Sequence, residues 1–388
     1  MIRHGGDIYR NRVQLDISVN CNPLGLPIAV KRAAEASISD CEAYPDARCE
    51  SLRLALAQSQ RLPAAWYVFG NGAASLLYQS LQALRPKRVL LPAPGFVEYE
   101  RAAESVGAVC TFFDSLAQPY YTEAVVTDGT KRDTKRYINR YTKRDTTLPT
   151  LEEALTEDID LVFLCSPNNP TGQLVNGGDL TELLERLSNR HTVLLLDECF
   201  MDLVEPEQAA RHSLLAQWQM KRMSLSQRVI LLKAFTKTYA MPGLRLGYAV
   251  VPDSALRESL LGQQPTWEVS IPAQAAGLAA IAQTSYLEEA RRLIAGERER
   301  LVRALCSLGL TVVPSEANFL LFHSPLPLYR RLLEQGILIR DCSDYHGLTE
   351  GWYRLCVSLP EKNEIVIQAL EDIFRKQNCD TTTEESNG

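Results

Sequence analysis

Lys233-Ala-Phe-Thr-Lys-Thr-Tyr-Ala-Met-Pro-Gly-Leu-Arg-Leu-Gly-Tyr248 decides how the rest of the chain is read. It follows an apolar run, Val229-Ile-Leu-Leu232, that reads as a buried strand. Lys237 stands just past that strand, Met241-Pro242-Gly243 forces a turn, and Arg245 comes two residues later. A lysine at a strand end, beside a turn and an arginine, suits an amine that must reach a carbonyl cofactor near a phosphate. Two surface cations on a loop would look the same in isolation. The decision rests on what the rest of the chain brings to this place.

Upstream, Thr192-Val-Leu-Leu-Leu-Asp197 is a fully apolar strand ending on a carboxylate, and Glu198-Cys-Phe200 follows it. Asp160-Leu-Val-Phe-Leu-Cys165 is another buried strand, capped by Ser166-Pro-Asn-Asn-Pro-Thr-Gly172. Arg88-Val-Leu-Leu-Pro92 leads to Pro94-Gly95-Phe96; taken singly, such a loop aromatic covers core rather than a ligand ring. A short strand through Gly70 meets Asn71-Gly72-Ala73, and a helix begins at once. Backbone N–H groups at such a start form an anion site, although the spacing matches neither nucleotide-binding fingerprint. Helical spacing over Ile28–Cys41, Arg48–Ser59 and Leu180–Leu187 alternates with these strands, which implies a mostly parallel α/β sheet with ligands at the carboxyl ends. Gly72, Phe96, Asn169, Asp197 and Lys237 are therefore delivered to one edge. That convergence weighs more than any one motif.

At 388 residues the chain calls for two domains, and its 46% hydrophobic and 23% charged content is that of a soluble globular protein. No apolar run approaches the ~20 residues of a membrane span, and the N-terminus lacks the apolar stretch of a secretory signal. Ten cysteines without paired metal-ligand spacing point to free thiols in a reducing compartment and to no metal site. A net charge of −6 argues against nucleic acid as a partner. The expected class is a cytoplasmic enzyme.

Residues 1–43 read as an N-terminal arm and part of a smaller domain, 44–265 as a large domain, 266–377 as a smaller α+β domain, and 378–388 as a disordered tail. Within the large domain, 117–147 carries a basic near-repeat, Lys131-Arg-Asp-Thr-Lys-Arg136 and Tyr141-Thr-Lys-Arg-Asp145, and is expected to be a flexible insertion. In the arm, Leu15–Asn20 alternates before Asn22-Pro-Leu-Gly25 turns the chain. Those residues alone favour a simple arm over one that brings His4 and Asn20 across an active site.

Together these residues resemble the fold-type I pyridoxal-phosphate enzymes, the superfamily of class I and II aminotransferases, over nearly the whole chain. Asn168-Asn-Pro-Thr-Gly172, then Asp197, Lys237 and Arg245 in order, carry the resemblance. It implies that Lys237 bears pyridoxal 5'-phosphate covalently and that Asp197 pairs with its pyridine nitrogen, keeping the ring an electron acceptor. It further implies Asn169 on the phenolic oxygen, Phe96 stacked on the ring, and Phe200 beside it. Gly72, Ala73, Thr236 and Arg245 would hold the phosphate, and Tyr44 would reach the phosphate of a neighbouring subunit in a homodimer with shared sites. Ala234 departs from the pattern, standing where many members carry a phosphate-binding hydroxyl.

Two subfamilies compete. His4-Gly-Gly-Asp-Ile-Tyr9, Asp16–Gly25, Phe200 in place of a tyrosine, and Ile339-Arg340-Asp-Cys-Ser-Asp-Tyr-His-Gly-Leu348 resemble the L-threonine-O-3-phosphate decarboxylases of cobalamin synthesis; histidinol-phosphate aminotransferases are the alternative. By that match His4, Gly5, Asn20, Asn169, Arg340 and Arg354 bind the substrate's phosphate and carboxylate. Two arginine forks suit a doubly anionic substrate. One methyl group separates threonine phosphate from serine phosphate and is worth only about 1–3 kcal/mol, so both are expected to react. A third, weaker reading is a non-catalytic cofactor-binding protein.

Overall fold

The computed structural model describes residues 5–116, 148–188, 190–221 and 228–385. His4 and the segment 117–147 lie outside the described residues. The arm supplies one short strand, Leu15–Asp16 (β1). The apolar runs of the large part become Tyr67–Gly70 (β2), Arg88–Ala93 (β3), Val109–Asp114 (β4), Leu161–Cys165 (β5), Val193–Asp197 (β6), Val229–Ala234 (β7) and Gly247–Val250 (β8). They form one sheet in the order β2-β8-β7-β6-β5-β3-β4, parallel from β7 to β4, with β8 antiparallel to both its neighbours.

The central strands β5, β6 and β7 are buried along their whole length, as covering a parallel sheet on both faces requires. Pleating splits their side chains between two cores. Leu194, Leu196, Val229 and Leu231 pack on one face with Val30, Leu52, Leu56, Ala273, Ala276 and Ala280 from helices. Leu195, Ile230, Leu232 and Cys165 pack on the other with Leu76, Leu81, Tyr99 and Leu256. Each buried leucine or isoleucine contributes about 1.5–3 kcal/mol, which fixes the sheet's register.

The smaller part has Thr311–Val312 (β9), Phe319–His323 (β10), Ile337–Leu338 (β11), Arg340–Asp341 (β12) and Trp352–Cys356 (β13). Four of these form an antiparallel sheet, β12-β13-β10-β9, while β11 pairs in parallel with β1 of the arm. Leu320, Phe322 and Leu355 pack against Leu301 and Leu305 of the helix Thr284–Ser307 and against Val366 and Leu370 of the last helix. Arg340 and Arg354 stand directly opposite each other across β12 and β13, so both side chains leave the same face of that sheet.

Two expectations shift. The helix Ile271–Ile281, read from sequence as the start of the smaller domain, packs into the core of the large sheet through Ala273, Ala276 and Ala280. Helix Pro360–Glu385 runs past Gln377 through most of the stretch expected as a tail. The apolar spacing of Val366, Leu370 and Ile373 starts a helix that the polar residues after it continue.

Candidate active site

A cavity of about 250 Å³ opens where the carboxyl ends of β5, β6 and β7 meet the arm and the small sheet. Parallel strands all end on this edge, so the side chains just past their ends converge. Asp197 is the last residue of β6, Asn169 follows β5, Phe96 follows β3, and Lys237 sits on the single helical turn Phe235–Thr238 after β7. All four line the cavity, as do Thr236, Phe200, Ala73 and Arg245.

Asp197 is held on both oxygens. Its Oδ1 accepts the Cys199 backbone N–H at 2.9 Å, and its Oδ2 accepts the Tyr99 hydroxyl at 2.7 Å. Burial, then the charge of Asp197, pushes the Tyr99 hydroxyl well above its ordinary pKa, so it stays a donor. The thiols of Cys165 and Cys199 beside it are likewise pushed well up by burial and are neutral walls rather than nucleophiles. Lys237 places its Nζ 6.0 Å from the centre of the Phe200 ring, and Phe200 packs edge-on against Phe319 at 5.0 Å.

At the other end of the cavity the helix Ala73–Leu84 begins without a side-chain cap, leaving N–H groups for an anion. Gly72, at φ +80°, precedes it, and a Cβ there would lie 2.5 Å from Arg245 Nη2. A Cβ on Gly247 would lie 2.4 Å from the Ala73 nitrogen. Both glycines let a guanidinium and a strand close on the helix start, forming a cradle for a phosphate. This cradle, an aromatic ring at Phe96, a carboxylate at Asp197 and an amine at Lys237 fit pyridoxal phosphate. Ala234 also lines the cavity and offers no hydroxyl.

The arm and small sheet close the cavity from the other side. Gly5, Ser18, Val19 and Asn20 line it, and the buried Oδ1 of Asn20 has no partner among the described residues. Arg354 is 6% exposed; its Nη1 donates to Asn169 Oδ1 and its Nη2 to the Ser18 carbonyl at 2.9 Å. Arg340, 3% exposed, donates to the Asp341 carbonyl and, at 2.8 and 3.0 Å, to both oxygens of Asp344, with its guanidinium carbon 5.1 Å from the Tyr345 ring centre. Neither is a surface arginine. Tyr44 stands apart: it is 74% exposed, stacks on Trp267 at 4.2 Å and does not line this cavity.

The family model described as aminotransferase class I and II matches residues 12–370. The chain belongs to that family. Its cofactor is pyridoxal 5'-phosphate. The threonine-phosphate decarboxylase of Salmonella typhimurium is 35% identical over 383 residues, 96% of each chain. A histidinol-phosphate aminotransferase of Symbiobacterium thermophilum is 32% identical over 360 residues, 92% of this chain and 89% of its own. Among solved structures, the histidinol-phosphate aminotransferase of Clostridium acetobutylicum superposes with a TM-score of 0.75 at 26% identity, covering 93% of this chain and 99% of its own. The fold is thus the fold-type I arrangement of the class I and II aminotransferase family.

Sequence reasoning missed Tyr99, Ser18, Val19, Tyr345 and Asp344. Tyr99 carried one usable signal, a position three residues after Phe96 and so one helical turn along the same face. Ser18 acts through its backbone carbonyl, for which no side-chain signal exists.

Proposed function

We propose that the protein decarboxylates L-threonine O-3-phosphate to aminopropanol phosphate, a step of cobalamin synthesis, and accepts serine phosphate as well. The observation that carries this reading is the pair of buried arginines, Arg340 and Arg354, side by side in the lining of the cavity that also holds Lys237. Two fixed forks suit one phosphate and one carboxylate on a small amino acid. Its support in the comparisons is the 35% identity to a threonine-phosphate decarboxylase over nearly the full length of both chains.

Bound pyridoxal phosphate supplies the electron sink for a bond broken at the substrate's α-carbon. Asp197, oriented by Tyr99 and the Cys199 N–H, keeps a negative charge at the pyridine nitrogen. The Gly72–Ala73 backbone, Thr236 and Arg245 would anchor the phosphate, and Phe96 and Asn169 would hold the ring. Arg354 and Arg340 would clamp the substrate at two points and so select which bond at its α-carbon is broken. Asn20, whose buried Oδ1 has no partner among the described residues, would accept a hydrogen bond from the substrate. Carbon dioxide leaves, and Lys237 Nζ returns one proton to the α-carbon. Phe200 has no hydroxyl to offer the phenolic oxygen, a role that would fall to Asn169.

Histidinol-phosphate transamination is the second reading, favoured by the relative at 32% identity. For assembly we propose a homodimer. Tyr44 and Trp267 form an exposed aromatic pair, and Ile28, Ile38 and Leu278 are exposed apolar residues on helices that pack nearby. Such a surface fits a second copy, with Tyr44 reaching that copy's cofactor phosphate. No helix among the described residues is long and apolar enough to cross a membrane.

The test is a panel of threonine phosphate, serine phosphate and histidinol phosphate, with carbon dioxide and keto acid measured for the two phosphoamino acids and the ketone phosphate for histidinol phosphate. Carbon dioxide from the two phosphoamino acids is expected. A ketone phosphate from histidinol phosphate, with no carbon dioxide from either phosphoamino acid, would assign the chain to the aminotransferases.

A further inference from the structure

Across the sheet from the cavity lies a charged cluster that the proposed chemistry does not use. Leu232 and Ala234 of β7 line the cavity, so the pleat sends Lys233 to the opposite face. Lys233 is 1% exposed, with its Nζ 2.6 Å from Asp202 Oδ1 and 3.9 Å from Glu198 Oε2. Burial opposes its charge, but Asp202 and Glu198 outweigh burial and its pKa is raised. Glu198 is itself held by the Ser213 hydroxyl at 2.7 Å and the Leu214 N–H at 2.6 Å.

Asp202 does more than balance this lysine. Its Oδ2 accepts the Thr238 hydroxyl at 3.2 Å, a proton shared with the Ala234 carbonyl at 3.1 Å, and its backbone carbonyl accepts Arg291 Nε–H at 2.8 Å. One carboxylate therefore ties residue 233, at the end of β7, to residue 238, at the end of the following turn. Lys237 lies inside the loop so closed. From the arm, Asn22 grips the same turn: its N–H donates to the Lys237 carbonyl at 3.0 Å, and its Nδ2 to the Thr238 carbonyl at 2.9 Å. A helix of four residues, Phe235–Thr238, has no stability of its own, so these side chains decide where it sits.

We propose that Asp202, acting through Lys233 and Thr238, is a positioning residue that fixes the turn presenting Lys237 to the cofactor. The inference rests on the reading of Lys237 as the amine that carries pyridoxal phosphate. A purely structural Asp202 would act only as the counter-ion of Lys233, and the bond to Thr238 would be incidental. Reacting groups displaced by about 1 Å lose on the order of tenfold to a hundredfold in rate, so a loosened turn is measurable.

Thr238→Val deletes the hydroxyl in an isosteric side chain and leaves the Lys233–Asp202 pair intact. Thr238→Ser keeps the hydroxyl and serves as the rescue. Apoprotein of each is mixed with pyridoxal phosphate, quenched with borohydride at intervals, and the modified peptide is quantified by mass spectrometry; kcat, KM and Tm are measured alongside. Thr238→Val is expected to slow capture at Lys237 on the order of tenfold and to lower kcat with KM little changed, while Thr238→Ser behaves as wild type. Asp202→Asn should act in the same direction and lower Tm as well; if it does not fold, Thr238→Val decides. Capture and kcat in Thr238→Val equal to wild type, with at most a lower Tm, would overturn this inference alone. Absence of a reduced adduct at Lys237 in wild type would overturn it together with the reading on which it rests.

Discussion

Removing one hydroxyl from a fully buried side chain should slow this enzyme without unfolding it. Tyr99→Phe deletes the donor 2.7 Å from Asp197 Oδ2 and leaves the ring in place, stacked on Phe163 at 5.0 Å and edge-on to Phe96 at 5.6 Å. Hydrogen bonds to charged groups contribute about 1.5–3 kcal/mol, and Asp197 keeps the Cys199 N–H on its other oxygen. At about 1.4 kcal/mol per decade, that is roughly a ten- to 150-fold loss if the bond orients the carboxylate fully toward the pyridine nitrogen. The assay is titration of apoprotein with pyridoxal phosphate, followed by kcat on threonine phosphate and a thermal melt. A kcat at least tenfold lower, weaker cofactor binding and a small change in Tm are expected. A variant with wild-type kcat and cofactor affinity would refute the orienting role of Tyr99.

Gly72→Ala puts a Cβ 2.5 Å from Arg245 Nη2 at φ 80° and ψ 162°, a region that costs a side-chain-bearing residue roughly 1–3 kcal/mol in backbone strain alone, so weaker cofactor binding is expected and calorimetry of the apoprotein checks it. Arg354→Ala leaves Asn169 Oδ1 and the Ser18 carbonyl without their donor in a buried place; kcat/KM for threonine phosphate should fall by about 2–5 kcal/mol. Arg340→Ala should depress kcat/KM similarly but spare Tm more, because its partner Asp344 is partly exposed and can be resolvated. Burial raises the Glu198 carboxyl from 4.5 to about 6, so between those pH values the folded state binds more protons than the unfolded chain. Stability from this group is present at low pH and lost as pH rises through 6, by about 2 kcal/mol, and Glu198→Gln should flatten that part of a stability–pH curve.

Much of the cavity was legible because a parallel sheet sends every strand end to one edge. Once Val193–Leu196 and Val229–Leu232 read as buried strands, Asp197 and Lys237 had to meet. What stayed hidden depends on contacts between distant segments. Tyr99 looks like an ordinary core residue of an amphipathic helix until its hydroxyl is seen on Asp197. Lys233 stood in plain view at the end of an apolar run, but its partners Glu198 and Asp202 come from the loop after the neighbouring strand. The helix Ile271–Ile281 was given to the wrong domain because alanine on nearly every side leaves no stripe to say which core it faces.

Decarboxylation requires that the bond broken be the one to the carboxylate, and the product formed in heavy water tests this most directly. Holoenzyme turned over on threonine phosphate in deuterium oxide should yield aminopropanol phosphate carrying one carbon-bound deuterium, at the carbon that lost carbon dioxide. A keto acid, with the substrate's carboxylate retained and the cofactor left in its amine form, would contradict it.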